Sequence, residues 1–476
     1  MPARPGEDAV VDPLDPYRAD GPGHDEMQRS SGRTRAAWAE LTGLGVADRP
    51  AVHAEAAVAL HDAGAGRRLD PLPVLVDEHE WEHLERAVRQ RAELLDQILT
   101  DLYGERRLLT SGLLPPEVVL GHPGFLRAAD GIRVPGRHQL FHTAADLARN
   151  ADGAWTVLAD STDVPAGHGS AMADRLAVAQ VLTDPLHRSG ARPIGPYFHA
   201  LRAALHAVGP ATGGAEPRVA LMTPGRTSPN APDLAHLATA LDIPLVEGGD
   251  LLVEEGRVWR TTLGRREPVD VLLRGVPGTA SDPLELEPGS AVGVVGLLHA
   301  ARGGGVAVVN PFGSAVVQTP ALLTYLPRLS RALRGEELAL ASVATYWCGE
   351  RSMCSHVIAN LGRLVLRHVA GDERAVPGWT LNLAERADLA ARIAARPAAW
   401  VGQEPVEAST VPVVAGGTLV PRELAVRTFA VSHGDSYLVM AGGLGQAGPP
   451  AQAAGAGPAA TAKDVWVLGP ERASVA

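Results

Sequence analysis

Between residues 219 and 310, short apolar runs alternate with stretches of helical periodicity. Few folds other than a parallel sheet covered by helices absorb such an alternation. Strands are expected at Val219–Thr223, Pro244–Glu247, Val269–Arg274 and Val306–Asn310, with helices near 233–241 and 291–302. In a sheet of this kind ligands meet the carboxyl ends of the strands, and Arg274 and Asn310 fall at such ends. The triplet Gly303-Gly304-Gly305 precedes a strand instead of joining one to a helix, so it reads as a helix ending and not as a phosphate loop.

The flanking regions follow other rules. Asp77 and Glu80 have the spacing of a capping box, and Trp81, Leu84, Val88, Leu95, Ile98 and Leu102 recur at helical intervals until Gly104, which predicts an amphipathic helix. Residues 138–160 read as two strands around a turn at Asn150–Gly153, the second of which, Trp155–Leu158, delivers Asp160 to a strand end. Beyond residue 350, helices near 352–362 and 384–396 flank short strands at 363–369, 400–406 and 424–431, a small α+β lobe. The domain plan is therefore a loose tail at 1–22, a first lobe at 23–208, a middle α/β lobe at 218–345, a small lobe at 346–444, a low-complexity flexible loop at 445–462 and a returning strand with its tail at 463–476.

Composition removes several function classes. A chain of 476 residues, 46% hydrophobic and 20% charged, is long enough for two or three lobes with substantial cores. A formal charge of -11 argues against nucleic acid as a partner, because neutralising phosphates over a broad surface takes clustered cations. No apolar run approaches the roughly 20 residues that span a bilayer, and the acidic, Pro-rich start does not resemble a secretory signal, so a cytoplasmic protein is expected. Cys348 and Cys354 lack the paired spacing of a zinc site and read as buried thiols. Neither an HExxH pair nor a GxSxG elbow is present. Lys463 is the sole lysine, so any phosphate clamp must be built from arginine forks or backbone amides.

Four blocks carry a family resemblance: DLYGERRLLTSGLLPPEVVLGHPGF at 101–125, VAVVNPFGSAVVQTPALLTYLPRLSRALRGEELALASVATYWCG at 306–349, VGQEPVEASTVPVVAGGTLVPRELAVRTFAVSHGDSYLVMAGG at 401–443, and KDVWVL at 463–468. Together they resemble the circularly permuted ATP-grasp proteins of type 2. The resemblance implies an α/β fold in which the half supplying metal ligands comes first, a mononucleotide-fold lobe with a central parallel sheet follows, and a small lid comes late. It also implies ATP and Mg²⁺ as cofactors and ligation of a carboxylate to an amine, on a small-molecule or peptide-like substrate. In many relatives a helical alpha-E domain follows the final strand, so a helical protein acting in trans is an expected partner.

The same resemblance nominates site residues. Relatives carry a segment similar to LGDRTQAPSGAGYALENR where residues 158–175 read LADSTDVPAGHGSAMADR, which makes Asp160, Asp163 and Asp174 the candidate metal ligands and Arg175 a catalytic candidate. The family's Glu-Asn pair is replaced here by Ala173 and Asp174. Arg274 is retained from RRVDDD as a catalytic phosphate or substrate contact, while the aromatic and acidic residues of TPGPYNETYFEH give way to TPGRTSPNAPDL at 223–234. Asn310, Gly313 and Ser314 could present amides to an anion, with Gln318 standing where relatives have an acid. In the lid, Arg367 stands where many ATP-grasp proteins place a nucleotide-binding lysine, Gln403 and Glu404 resemble the adenine hinge, and Arg422 and Arg427 match family arginines. A second function stays open beside the ligase: a catalytically degenerate relative that serves as a nucleotide-binding or partner-docking scaffold.

Overall fold

The first and last strands among the described residues lie side by side. This computed structural model describes residues 17, 23–43, 68–210, 216–371, 374–415, 418–448 and 460–469. In chain order the first strands are β1 (Leu69–Val76), β2 (His142–Arg149) and β3 (Trp155–Ser161). The middle region contributes β4 (Val219–Thr223), β5 (Leu245–Glu247), β6 (Leu251–Glu254), β7 (Arg257–Thr262), β8 (Arg265–Val269), β9 (Val271–Arg274) and β10 (Ala307–Val309). Next come β11 (Ala341–Ser342), β12 (Thr345–Trp347), β13 (Val365–His368), β14 (Val376–Pro377) and β15 (Trp400–Gln403). The last are β16 (Thr410–Ala415), β17 (Thr418–His433), β18 (Ser436–Val439), β19 (Leu444–Gly448) and β20 (Thr461–Val467).

These strands build a mixed α/β fold of several sheets. The largest runs β1-β20-β19-β17-β2-β3-β11, with β16 and β18 also paired to β17. β20 pairs parallel with β1 and antiparallel with β19, so the last described strand is internal to this sheet. Four middle-region strands form a sheet in the order β10-β9-β4-β5, every neighbouring pair of which is parallel. The segment from 251 to 269, which carries no helical connection, folds instead as the antiparallel sheet β6-β7-β8. A fourth sheet, β12-β15-β13-β14, is antiparallel and packs against the helices Arg351–Ala359 and Leu383–Ala395.

The helix Glu78–Leu102 joins two cores. Trp81, Leu84, Val88 and Ala92 pack under the large sheet, while Leu94, Leu95, Ile98, Leu99 and Leu102 belong to the core beneath the parallel sheet. Each such side chain contributes about 1.5–3 kcal/mol on burial, which explains why a helix with many charges is held through seven turns. Its start differs from the expected capping box. Asp77 accepts from the amide of His79 at 2.9 Å, whereas Glu80 leaves the helix to accept from Trp155 Nε1 at 2.6 Å and to pair with Arg149.

Three further expectations change. The strand anticipated at 424–431 lies inside β17, whose neighbours are β2 and β19, so it belongs to the large sheet and not to the small one. Of the loop expected at 445–462, residues 445–448 are part of β19 and 449–459 lie outside the described residues. Of the tail expected at 1–22, only Tyr17 is described; it is buried, and its hydroxyl donates to Asp25 at 2.7 Å. Cys348 is buried as expected, with burial pushing its thiol up to about 12, and Cys354 is half-buried. Among the described residues no helix is long and apolar enough to cross a membrane.

Candidate functional site

Where the small sheet meets the large one, a cleft of about 220 Å³ opens between β13 and the strands β2, β3 and β17. Asp146, Asp160, Gln318, Arg367, His368 and Arg427 line it, together with His122 and the loop 369–371. β13 contributes Arg367 and His368, β2 contributes Asp146, β3 contributes Asp160, and β17 contributes Arg427. Thus Asp160, Arg367 and Arg427, nominated from distant parts of the sequence, meet in one place.

The charges within the cleft are not equivalent. Arg427 grips Asp146 through two parallel bonds, Nε to Oδ1 at 2.7 Å and Nη2 to Oδ2 at 2.8 Å, and its Nη1 reaches the carbonyl of Ala166 at 3.1 Å. The Asp146 carboxylate accordingly raises the pKa of Arg427 above the usual guanidinium range. Asp160 is held the same way by Arg91, with both bonds at 2.7 Å and both side chains buried. Arg367 differs from both arginines. Its polar contact is the side-chain oxygen of Gln403 at 3.4 Å, and burial lowers its pKa against a weaker opposing pull from the Asp146 carboxylate. Among the described residues no carboxylate lies within ion-pair distance of this guanidinium, which leaves its donors more open to an anion than those of Arg91 or Arg427.

The cleft is narrow because the segment after β13 is fastened to the body. The carbonyl of Val369 accepts from His122 Nε2 at 3.0 Å and from the Thr319 hydroxyl at 3.4 Å. Sites for drug-sized molecules usually measure roughly 300–1,000 Å³, so this cleft is small by comparison.

The remaining nominated residues lie elsewhere. Arg274 is buried, and its guanidinium donates to Asp163 Oδ1 at 2.8 Å and to the carbonyls of Val276 at 2.6 Å, Asn310 at 2.9 Å and Pro311 at 3.2 Å. Asp163 also accepts from the Gly278 amide at 3.0 Å and the Ser314 hydroxyl at 3.3 Å. The Asn310 side chain accepts from the amides of Phe141 and His142, both at 2.9 Å, and donates to the carbonyls of His142 and Thr162, both at 2.7 Å. Gly313 has a φ of 84°, and a Cβ there would sit 1.8 Å from the Tyr103 hydroxyl oxygen. This group fastens the parallel sheet to the large sheet and leaves its donors turned inward.

Arg175 binds the last strand, donating to Asp464 Oδ2 and to the Val465 carbonyl, both at 2.7 Å. Asp174 is buried on the same helix, His168–Val181. The N-terminus of that helix, a natural anion site, is already filled: Asp233 accepts from the amides of Gly167 at 2.8 Å and Ser170 at 2.7 Å. Glu404 accepts from the Tyr346 hydroxyl at 3.1 Å, Arg422 stands opposite Val411 on β17, and neither lines the cleft. Asp160, Asp163 and Asp174 therefore do not converge, and among the described residues no cluster of three or more His, Cys, Asp or Glu could hold a metal ion.

Two cleft residues escaped the sequence reading, Arg91 and Asp146. Arg91 left a trace: the apolar positions 81, 84, 88, 95, 98 and 102 skip one regular place, and Arg91 fills it. A charge on the buried stripe of a helix requires a buried partner. Asp146 gave no comparable signal. A wider cavity of about 590 Å³, lined by residues including Asp96, Arg133, His138 and Arg334, contains none of the nominated residues.

The comparisons with known proteins bear on most of this chain. A family model described as circularly permuted ATP-grasp type 2 covers residues 73–448. The chain belongs to this family. An uncharacterized protein of Mycobacterium tuberculosis is 42% identical over 482 residues, a match that takes in 95% of this ATP-grasp chain and 54% of the relative. The chain thus spans about half the length of that relative. A second uncharacterized M. tuberculosis protein is 33% identical over 414 residues, 86% of this chain and 74% of its own length. A Frankia alni protein named "Putative glutamate--cysteine ligase 2-3" is 34% identical over 405 residues, 84% of this chain and 46% of its own.

Proposed function

We propose that this ATP-grasp protein is a carboxylate–amine ligase that receives ATP in the cleft beneath β13, with the small sheet as its lid and the parallel sheet as its mononucleotide-fold lobe. The observation that carries the reading is Arg367, a half-buried guanidinium lining the cleft that, among the described residues, makes no ion pair with a carboxylate. A terminal phosphate satisfies such a group with two parallel bonds. The name of the Frankia relative describes a carboxylate joined to an amine, which supports amino-acid-like substrates of the same class. A helical partner of the alpha-E type, expected from the family resemblance, is part of this proposal.

The scaffold reading has one observation in its favour: Asp160, Asp163 and Asp174 are dispersed, and the first two are engaged by arginines. Calorimetric titration with ATP, followed by ADP release measured over a panel of amino acids, separates the two. Saturable binding with amine-dependent ADP release supports the ligase. Binding without turnover supports the scaffold, and no binding removes both nucleotide readings.

A further inference from the structure

Each of the two carboxylates that line the cleft is already held by an arginine fork. Asp160 presents one oxygen to Nε and the other to Nη2 of Arg91, and Asp146 does the same with Arg427. Arg91 has no competing attachment, because its remaining Nη1 is buried without a hydrogen-bond partner. A Mg²⁺ ion demands near-octahedral oxygen ligands at short range, so it would have to compete with a guanidinium fork for either acid, and at Asp160 that fork is buried. Three guanidinium groups meet two carboxylates here, and the positive charge in excess resides on Arg367.

We propose that the cleft is a polyphosphate site that works without a divalent cation held by the chain: Arg91 and Arg427 silence the two acids that would repel a phosphate, and Arg367 grips it. This rests on the nucleotide reading above and adds the manner of recognition. Any metal arrives with the nucleotide on phosphate oxygens, and the protein's carboxylates take no part in its binding. An ordinary ATP site of a metal-bridged kind needs those acids bare, because the ion must contact both phosphate and protein.

The test uses the full chain, with ATP and inorganic tripolyphosphate titrated calorimetrically in excess EDTA and again in excess Mg²⁺. The expected result is affinities within about threefold between the two buffers, and a loss of roughly tenfold or more in both for Arg367→Ala. Tighter binding of ATP than of tripolyphosphate assigns part of the recognition to adenosine, while equal binding assigns it all to phosphate; either supports the proposal. An affinity that drops about tenfold or more in EDTA overturns it. So does stoichiometric binding of Mn²⁺ alone, read by electron paramagnetic resonance, that disappears in Asp160→Asn while the variant's thermal melt shows it folded. Absence of heat from both ligands in both buffers overturns the nucleotide reading itself, a different failure from metal dependence.

Discussion

Asn310 spends all four hydrogen-bonding positions of its amide on two neighbouring segments, so its replacement tests architecture and not chemistry. Asn310→Ala orphans two amides and two carbonyls in a region without water access, and a loss of about 2–5 kcal/mol is expected by urea unfolding. Arg274→Met strands the Asp163 carboxylate and should cost about 3–5 kcal/mol, even though the new side chain fits an apolar setting. A stability change under about 1 kcal/mol in either variant would mean that these clamps are ornamental. Arg367→Ala belongs to the other class. It removes a cation that already suffers from burial, so the melting temperature should hold or rise while phosphate affinity falls; Arg367→Lys should restore charge without the fork and recover only part of the affinity. Sequence reasoning ranked Arg274 beside Arg367 because both are arginines at positions that match the family's motifs. What separates them is the location of Asp163, more than a hundred positions from Arg274, and no local pattern encodes a contact of that range.

At the level of elements, periodicity was a sound guide to what forms and a poor one to what pairs. The helix Glu78–Leu102 and the parallel strands were legible because their apolar spacing is a local property. β17 was legible as a strand over part of its length, yet its place between β2 and β19 depends on which edges remain open once the distant segments have docked. The cleft inherits the same limit, since it is made where β13 from the small sheet faces β2, β3 and β17 from the large one. Hydrogen exchange gives the corresponding prediction. The amides of Val365–His368 and the adjoining 369–371 should become slower to exchange when ATP is added, because the ligand joins the lid strand to the body. Unchanged exchange there at saturating ATP would place the nucleotide elsewhere.

Across the whole molecule, two buried imidazoles set a limit in acid. His142 and His168 lie with ring centroids 5.1 Å apart, and burial holds His168 down at about 3 and His142 well below its ordinary value. In the unfolded chain both titrate near 6.5, so below that pH the unfolded state takes up protons that the folded state refuses, and stability falls as the pH drops toward 3. The contribution is about 1.4 kcal/mol per pH unit for each ring, and His168→Phe should show a shallower decline in chemical-denaturation stability between pH 6 and 4 than the parent. An unaltered slope would show that His168 is protonated in the fold. A different outcome of the same enclosure concerns Lys463, which sits on β20 with its ammonium on Asp70 Oδ1 and the Pro412 carbonyl, both at 2.8 Å, and with no exposure to solvent. Because it is the sole lysine, the folded chain offers acylating reagents and isopeptide-forming tags no ε-amine to attack, and their reaction at that position becomes a direct reporter of the large sheet coming apart.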